Sequence, residues 1–145
     1  MSTLCGLKSF ILTWNPSEQW QGDPRRVVQW STGPSDPGIE PGDRLYLFRQ
    51  RGIRGNRGNW GIVAVGYALS SVFPDESWSD PTKERHYVRV EWSMLENCVH
   101  IDRLTAEVPE GKWTTRYRRS GVILDTALAR KVDRLVIRQK QDLGP

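Results

Sequence analysis

The sequence predicts an α+β domain with a curved or barrel-like sheet, because short β-prone segments dominate the chain and an amphipathic helix follows them. Segments Ser9–Trp14 and Arg44–Arg49 are short, apolar and rich in residues that favour strands. Residues 61–72 combine β-branched and small side chains, which is typical of a buried strand. Residues 86–92 alternate apolar and polar side chains, as a half-buried strand does.

Proline and glycine divide the first part of the chain. The Asn15-Pro16 pair ends the first strand, because proline moves its predecessor out of helical geometry. In the Asp23-Pro24 pair, the aspartate suits an N-cap and the proline suits the first helical position, which predicts a short helix through residues 25–29. Residues 33–42 are rich in glycine and proline and are predicted to form a loop.

The sequence also predicts how one strand pairs and which helix packs on the sheet. The strand within residues 61–72 is expected to pair with the strand before it, and Gly66 marks a bulge or a close backbone approach. A helix is predicted to begin after Asp125, which suits an N-cap. Its apolar stripe, which is expected to pack on the sheet, consists of Leu128, Val132, Leu135 and Val136.

The length of 145 residues suits a single domain over residues 1–145, with an ordered core at about 8–138 and a polar C-terminal tail. No segment approaches the roughly 20 apolar residues of a membrane span, and no signal peptide is visible. We therefore expect a cytoplasmic protein with no membrane partner. Cys5 and Cys98 lack C-x-x-C spacing, which predicts neither a disulfide framework nor a zinc site.

The sequence lacks the motifs of the main catalytic classes. His86 and His100 have no HExxH or similar grouping around them, and no P-loop, nucleophile elbow or dinucleotide-binding glycine motif is present. Glu91 and Asp80 are an available acid/base pair, but two carboxylates among 17 acidic residues are not distinctive. We therefore expect no catalytic residue, no metal and no cofactor in this chain.

Positive charge is concentrated in two places, although the net charge is only +4. Residues 49–61, RQRGIRGNRGNWG, contain four arginines and no acidic residue, and a second cluster lies within residues 116–119. Like charges repel one another unless a polyanion is present, so both clusters are predicted to contact a nucleic-acid backbone. A solvated hairpin tip is the alternative for the first cluster. The predicted backbone contacts are Arg51, Arg54, Arg57, Arg116, Arg118 and Arg119.

Seven tryptophans are more than a domain of this size readily buries, because each buried indole N–H needs a hydrogen-bond partner. Trp14, Trp20 and Trp30 are predicted to lie around one edge of the sheet. A base pocket needs flat apolar walls and polar groups that read the base edge, and Asn15 and Ser31 supply such groups beside the indoles. The alternative is that Trp14 and Trp30 are core residues that anchor loops.

Several sequence motifs follow one another in an order that belongs to a known family. They are TWNPSEQW (13–20), WSTG (30–33), PGDRLYLFRQ (41–50), GIVAVGYALS (61–70), the segment 73–78 ending in tryptophan, YVRVEW (87–92) and Ser120-Gly121. Over about residues 8–138 the chain resembles EVE domains of the PUA-like superfamily. It most resembles the EVE modules that precede HNH nuclease domains or accompany modification-dependent restriction systems.

The resemblance implies a PUA-like curved sheet or pseudo-barrel, flanked by short helices and a C-terminal helix. It also implies a non-catalytic reader of 5-methylcytosine or 5-hydroxymethylcytosine flipped out of duplex DNA. Nuclease activity is then expected from a partner or another domain, since no nuclease domain follows residue 145 in this sequence. The pocket residues implied by the matching motifs are Trp14, Asn15, Trp20, Trp30, Ser31, Gly33, Arg49 and Trp78.

A departure in the loop after Arg49 and two alternatives also qualify this expectation. The loop after Arg49 is longer than usual in the family, and Trp60 stands where the family tends to have arginine, so the contacts of this loop are expected to be particular to this protein. A reader of modified RNA or N6-methyladenine is one alternative, and a binder of a small nucleoside-like molecule is the other. The salt dependence of binding distinguishes the small-molecule binder from the two nucleic-acid readers, because phosphate contacts make affinity fall steeply with salt.

Overall fold

The structure, a computed structural model, describes residues 7–15, 27–33, 36–50, 60–76, 82, 84–114 and 120–142. Its strands are β1 (Ser9–Trp14), β2 (Val27–Gly33), β3 (Arg44–Arg49), β4 (Gly61–Tyr67), β5 (Phe73–Glu76), β6 (Glu84–Glu91), β7 (Ser93–His100) and β8 (Val122–Leu124). Its helices are α1 (Ile101–Glu107) and α2 (Thr126–Asp142), and a short 3₁₀ helix at Pro109–Gly111 follows α1. The described chain is a mixed α+β fold made mostly of strands, which confirms the predicted class.

The strands form two sheets. The larger has five strands in the order β7-β4-β3-β1-β8, in which β1 and β3 are parallel and the other neighbours are antiparallel. The smaller is antiparallel with three strands in the order β2-β6-β5. An isolated bridge between Ala68 and Val90 connects the end of β4 to β6. This backbone contact joins the two sheets along one side.

The central strands of the five-stranded sheet are buried on both faces. Successive side chains of a strand point to opposite faces, so β1 sends Ile11 to one core and Phe10 and Leu12 to the other. The first core lies under α1 and α2, and the second lies between the two sheets, where it includes Trp30 and Trp92. Burial on both faces explains why the central strands have nearly continuous apolar sequences.

The central strands agree with the predictions from sequence. β1 and β3 have the predicted bounds, and β3 pairs with β4 in antiparallel register. β4 ends at Tyr67, earlier than residue 72. Gly66 marks a close backbone approach, because a Cβ built there would lie 2.8 Å from the Glu91 carbonyl oxygen. β6 confirms the strand predicted at 86–92 and begins two residues earlier.

The helix predicted through residues 25–29 is wrong where the structure describes it, since Val27–Gly33 forms β2. Burial alternates along this strand, with Val28 and Trp30 turned into the core between the sheets. Trp30 pairs with Val88 of β6 in the antiparallel register. Packing against a strand that is distant in sequence therefore overrides the local helix signal. The Asp23-Pro24 pair itself lies outside the described residues.

Helix α2 begins where the sequence predicts. The Asp125 Oδ1 atom accepts the Leu128 backbone N–H at 2.9 Å, which is an N-cap hydrogen bond. The predicted stripe is buried, and none of Leu128, Val132, Leu135 and Val136 is more than 3% exposed. The apolar face of α2 therefore completes the core on one side of the five-stranded sheet.

Removal of this cap gives a first test of the fold. We expect Asp125→Ala to lower the free energy of unfolding by about 1 kcal/mol, because the Leu128 N–H loses its acceptor at the start of α2. Urea unfolding measures the change. Thr126→Ala, at the neighbouring exposed position, is the matched control and should change stability much less. Equal losses in the two variants would contradict the capping role.

The elements that were not predicted are β5, β7, β8, α1 and the short 3₁₀ helix. β7 lies at the edge of the five-stranded sheet, and only one of its eight side chains is fully buried, so its sequence SMLENCVH has no clear apolar alternation. α1 has only 7 residues, too few for a helical period to stand out. Neither described helix has both the length and the apolar run needed to cross a membrane.

Candidate functional site

The ends of β1 and β3 bring an aromatic and a cationic side chain together. The parallel register sets Trp14 opposite Arg49, and the Gln50 N–H donates to the Trp14 carbonyl oxygen at 2.9 Å. The guanidinium carbon of Arg49 lies 5.3 Å from the centroid of the Trp14 ring, in cation–π geometry. Backbone pairing therefore holds both side chains at one edge of the five-stranded sheet.

Both side chains are on the face that looks toward the second sheet. Trp14 shares its face of β1 with Leu12, and Arg49 shares its face of β3 with Leu47, because alternate residues point the same way. Leu12 and Leu47 belong to the core between the sheets, and Trp14 packs against that core while remaining half-buried. The pair therefore stands at one end of the space between the sheets.

A hydrogen-bonded junction brings β2 to the same place. The Trp30 indole N–H donates to the Thr13 carbonyl oxygen at 3.1 Å. The Ser120 hydroxyl donates to the Ser31 carbonyl oxygen at 2.8 Å and accepts the Thr13 N–H at 3.1 Å. The Ser31 hydroxyl accepts the Gly33 N–H at 3.1 Å. Ser120 thus links the two sheets beside Trp14. We call Trp14, Trp30, Ser31, Arg49 and Ser120 the strand-end cluster.

The Arg49 guanidinium has an unused donor within this cluster. Its Nη1 atom is buried and has no hydrogen-bond partner among the described residues. A buried donor without an acceptor costs about 1–3 kcal/mol, and more when it is charged. His86 Nδ1, on β6 opposite Gly33, is also buried without a hydrogen-bond partner in the part of the chain that the structure describes. The cluster therefore has one donor, Arg49 Nη1, that an acceptor-bearing ligand would satisfy.

Cys98 lies close enough to this cluster to respond to its charge. Its side chain packs against the core between the sheets, and burial raises the pKa of the thiol. The positive charge of Arg49 acts in the opposite direction, because it favours the thiolate. Cys98 therefore reports on the electrostatics of the strand-end cluster.

This coupling gives a second prediction. In a Cys5→Ser background, we expect the reaction of Cys98 with iodoacetamide to be slow at pH 7 and to accelerate only above the ordinary thiol pKa of 9.0, since the thiolate is the nucleophile. Arg49→Gln removes the opposing charge and should move the midpoint of the rate-against-pH profile to still higher pH. Arg89→Gln, on β6, is the control and should leave the midpoint in place. A shift to lower pH with Arg49→Gln would contradict the coupling.

The structure gathers most of the predicted pocket residues that it describes. Trp14, Trp30, Ser31, Gly33 and Arg49 meet at the junction, and Asn15 is exposed directly after Trp14. The other named positions lie outside the described residues: Trp20, Trp78, Arg51, Arg54, Arg57, Arg116, Arg118 and Arg119.

Trp30 is more deeply buried than its neighbours in the cluster. It is 4% exposed, and its ring packs edge-on against Trp92 with the two centroids 6.0 Å apart. Core packing, which the sequence leaves open for Trp30, is therefore what the structure shows. Trp30 fixes the floor and the hydrogen-bonding backbone of the cluster, while Trp14 is the accessible indole.

Three residues near the cluster were not singled out for it from sequence: Ser120 as the link between the sheets, His86 and Cys98. Ser120 had a signal only as part of the Ser120-Gly121 motif. His86 and Cys98 had none, because their places depend on strand register. No group of three or more histidine, cysteine, aspartate or glutamate side chains within the described residues is arranged to hold a metal ion.

A solved structure has a fold similar to that of this chain. No family model and no curated protein matches the sequence. The NMR structure of Rpa0253 from Rhodopseudomonas palustris, a structural genomics target, is similar with a TM-score of 0.61 and 16% sequence identity. The match covers 91% of this chain and 94% of that chain. At this identity the similarity shows a shared fold, and it extends over nearly the whole length of both proteins.

Proposed function

We propose that this protein binds a single flipped-out nucleic-acid base at the strand-end cluster. The observation that carries the proposal is the buried Arg49 Nη1 donor, which lies beside the Trp14 ring and has no acceptor among the described residues. A nucleobase offers a flat face that stacks on an indole and edge acceptors that a guanidinium recognises. One base would therefore use both groups at once.

Polar side chains that adjoin Trp14 and Trp30 in sequence suit recognition of the base edge. Asn15 is exposed directly after Trp14, and its amide has both donors and acceptors. The Ser31 hydroxyl accepts the Gly33 N–H and retains its own proton for donation. A mixed set of donors and acceptors is what separates one base from another, since stacking alone accepts every base.

The resemblance to EVE domains supplies the identity of the base in this proposal. The ligand is 5-methylcytosine or 5-hydroxymethylcytosine in duplex DNA, and the architecture is a PUA-like pseudo-barrel. The chain then serves as the specificity module of a modification-dependent restriction system, and a partner or a further domain supplies the nuclease. No catalytic step is assigned to this chain.

The arginine clusters have a place in the proposal through chain connectivity. Arg51 is two residues after Arg49, and Arg119 directly precedes Ser120. Both arginine-rich segments therefore begin or end at the strand-end cluster. Arginines beside a base pocket hold the phosphates that flank the extruded nucleotide, and such contacts position the strand without reading its sequence.

The free energies of the proposed contacts are large enough to offset the cost of extruding a base. Extrusion of a base costs a few kcal/mol, and stacking on an aromatic side chain returns about 1–3 kcal/mol per base. Phosphate contacts and edge hydrogen bonds supply the remainder. A single added methyl group is worth about 1–3 kcal/mol in a fitted pocket, so we expect discrimination against plain cytosine on the order of tens-fold.

The test is a titration with four matched short duplexes that carry cytosine, 5-methylcytosine, 5-hydroxymethylcytosine or N6-methyladenine at one position. Tryptophan fluorescence follows binding at two salt concentrations. We expect the duplex with a modified cytosine to bind tightest, to quench tryptophan and to weaken with salt, because phosphate contacts release counterions.

Two further ligands separate this proposal from other functions. A single-stranded RNA with N6-methyladenine that binds more tightly than every duplex would replace the DNA reader with an RNA reader. Free 5-methyldeoxycytidine that binds as tightly as the duplex, without salt dependence, would indicate a small-molecule site. Equal or absent binding of all four duplexes would refute the proposed recognition of modified DNA.

A further inference from the structure

A groove of about 650 Å³ lies at the opposite end of β1 and β3 from the strand-end cluster. It is lined by residues at the start of β1 and β3, the end of β4, β8 and the first half of α2. The six-residue strands place it about 16 Å from Trp14 and Arg49. Arg44 and Tyr46 point into it on the face of the sheet that α2 covers. The groove and the strand-end cluster share no residue.

Basic side chains outnumber acidic ones in the groove lining, where Lys8, Arg44, Arg130 and Arg134 accompany Asp125 and Asp133. Arg130 and Arg134 are exposed, line the groove and are four residues apart on one side of the helix. Neither has a carboxylate within ion-pair distance in the described residues. Elsewhere on α2, Lys131 pairs with Glu110, and Arg138 pairs with Glu107 at 3.1 Å. Like charges four residues apart destabilise a helix, so an anion between Arg130 and Arg134 would relieve their repulsion.

The base of the groove is held by a fixed polar network. Asp133 Oδ1 accepts the Tyr46 hydroxyl at 2.9 Å and pairs with Arg44 at 3.4 Å. Burial and the charge of Asp133 raise the pKa of Tyr46, so its hydroxyl remains a donor. The other carboxylate oxygen, Oδ2, accepts no hydrogen bond from the described residues. Asp133 therefore offers an oriented acceptor to a ligand hydroxyl.

Exposed apolar side chains form the remaining wall. Tyr67 is 56% exposed, and the Arg44 guanidinium carbon lies 4.7 Å from its ring centroid. Leu7 and Ile123, at 51% and 48% exposed, also line the groove. Arg44 lies in cation–π contact with the tyrosine ring, and the exposed aromatic and aliphatic side chains offer apolar surface to a flat ligand.

We propose that this groove binds a nucleoside phosphate. Arg130 and Arg134 hold the phosphate, the base lies against Tyr67, Leu7 and Ile123, and a sugar hydroxyl donates to Asp133 Oδ2. The volume lies within the range of about 300–1,000 Å³ that small-ligand sites occupy. The ligand chemistry has two sources, a free mononucleotide or the phosphorylated end of a nucleic-acid strand. Because no residue is shared with the strand-end cluster, the two sites stand or fall separately.

The experiment follows backbone amide and tyrosine NMR signals while ribonucleoside 5′-monophosphates, a nucleoside and inorganic phosphate are added separately. We expect at least one mononucleotide to shift the signals of Tyr67, Arg130 and Arg134, with at least tenfold weaker binding of the nucleoside and of phosphate alone. The variant Arg130→Gln/Arg134→Gln should bind the mononucleotide at least tenfold more weakly. Arg138→Gln, which removes the same kind of charge from a paired position, should bind normally.

Two further measurements identify the source of the ligand and distinguish the groove from the strand-end cluster. A short oligonucleotide with a 5′-phosphate, compared with the same strand lacking it, identifies a strand end as the source if only the phosphorylated form binds the groove. Arg49→Gln should leave mononucleotide binding unchanged. Inorganic phosphate that binds as tightly as every mononucleotide would overturn the proposal. So would a mononucleotide affinity that is unchanged by the double variant.

Discussion

Arg49→Gln is expected to weaken binding of the modified duplex by at least tenfold while leaving the free energy of unfolding nearly unchanged. A hydrogen bond to a charged group contributes about 1.5–3 kcal/mol, which corresponds to a factor of roughly ten to more than one hundred. The Nη1 donor of Arg49 has no acceptor among the described residues, so its loss removes a ligand contact and no described hydrogen bond within the fold. Glutamine also has no charge to desolvate, which offsets the loss of the contact with Trp14.

The measurement pairs a fluorescence titration with urea unfolding for each variant. Arg89→Gln is the matched control, because Arg89 is an exposed arginine that lies over Phe73, at 5.5 Å from the ring centroid, in the β5–β6 region. It changes the net charge by the same amount. Equal loss of affinity in both variants would mean that Arg49 acts only through the overall charge, and it would remove the observation on which the proposed function rests.

The sequence predicted the strands that lie in the middle of the sheet and missed those whose place depends on distant partners. β1, β3 and β4 are buried on both faces, so their apolar composition is visible locally. β2 follows a local helix signal, yet it pairs with β6, nearly 60 residues later. β7 is an edge strand with a single fully buried side chain, and it has little apolar pattern. Local composition therefore predicts which strands are buried, but it does not predict which strands pair with one another.

The candidate site shows the same limit. The residue types at Trp14, Arg49 and Ser31 suggest base recognition one by one, but their meeting depends on the parallel pairing of β1 with β3. Ser120 is 107 residues from Thr13 in sequence and still holds its backbone N–H. The groove beside α2 has no sequence signal at all, because it arises where the charged side of a helix meets residues of four strands. Sites made from several elements require the register to be known.

Gly61→Ala is expected to have the largest effect on stability, with a loss of about 3 kcal/mol or more in the free energy of unfolding. A Cβ built at Gly61 would lie 2.1 Å from the Val99 carbonyl oxygen and 2.9 Å from the Val99 carbonyl carbon. These are backbone atoms of β7, which cannot rotate away as a flexible side chain does. The φ of Gly61 is also +151°, which a residue with a Cβ rarely adopts.

Gly42→Ala separates the two causes of this loss. Gly42 has a φ of +92°, but a Cβ built there meets only the Leu7 Cδ2 atom, at an ordinary 3.5 Å. This variant should therefore show the conformational cost alone, at about 1 kcal/mol. Urea unfolding of both variants gives the difference, which is the cost of pushing β7 away from β4. Equal losses would show that the close approach at Gly61 relaxes without difficulty.

The same substitution has a consequence for the strand-end cluster. Gly61 pairs with Arg49 on one side and with His100 on the other, so it sets how closely β7 approaches the end of β3. A β7 strand displaced by the alanine would move Cys98 relative to Arg49 and reduce the electrostatic influence of the guanidinium on the thiol. Gly61→Ala should therefore weaken duplex binding and raise the midpoint of Cys98 alkylation, whereas Gly42→Ala should change neither. A change in both the duplex affinity and the midpoint of Cys98 alkylation would show that the backbone approach at Gly61 controls the position of Arg49.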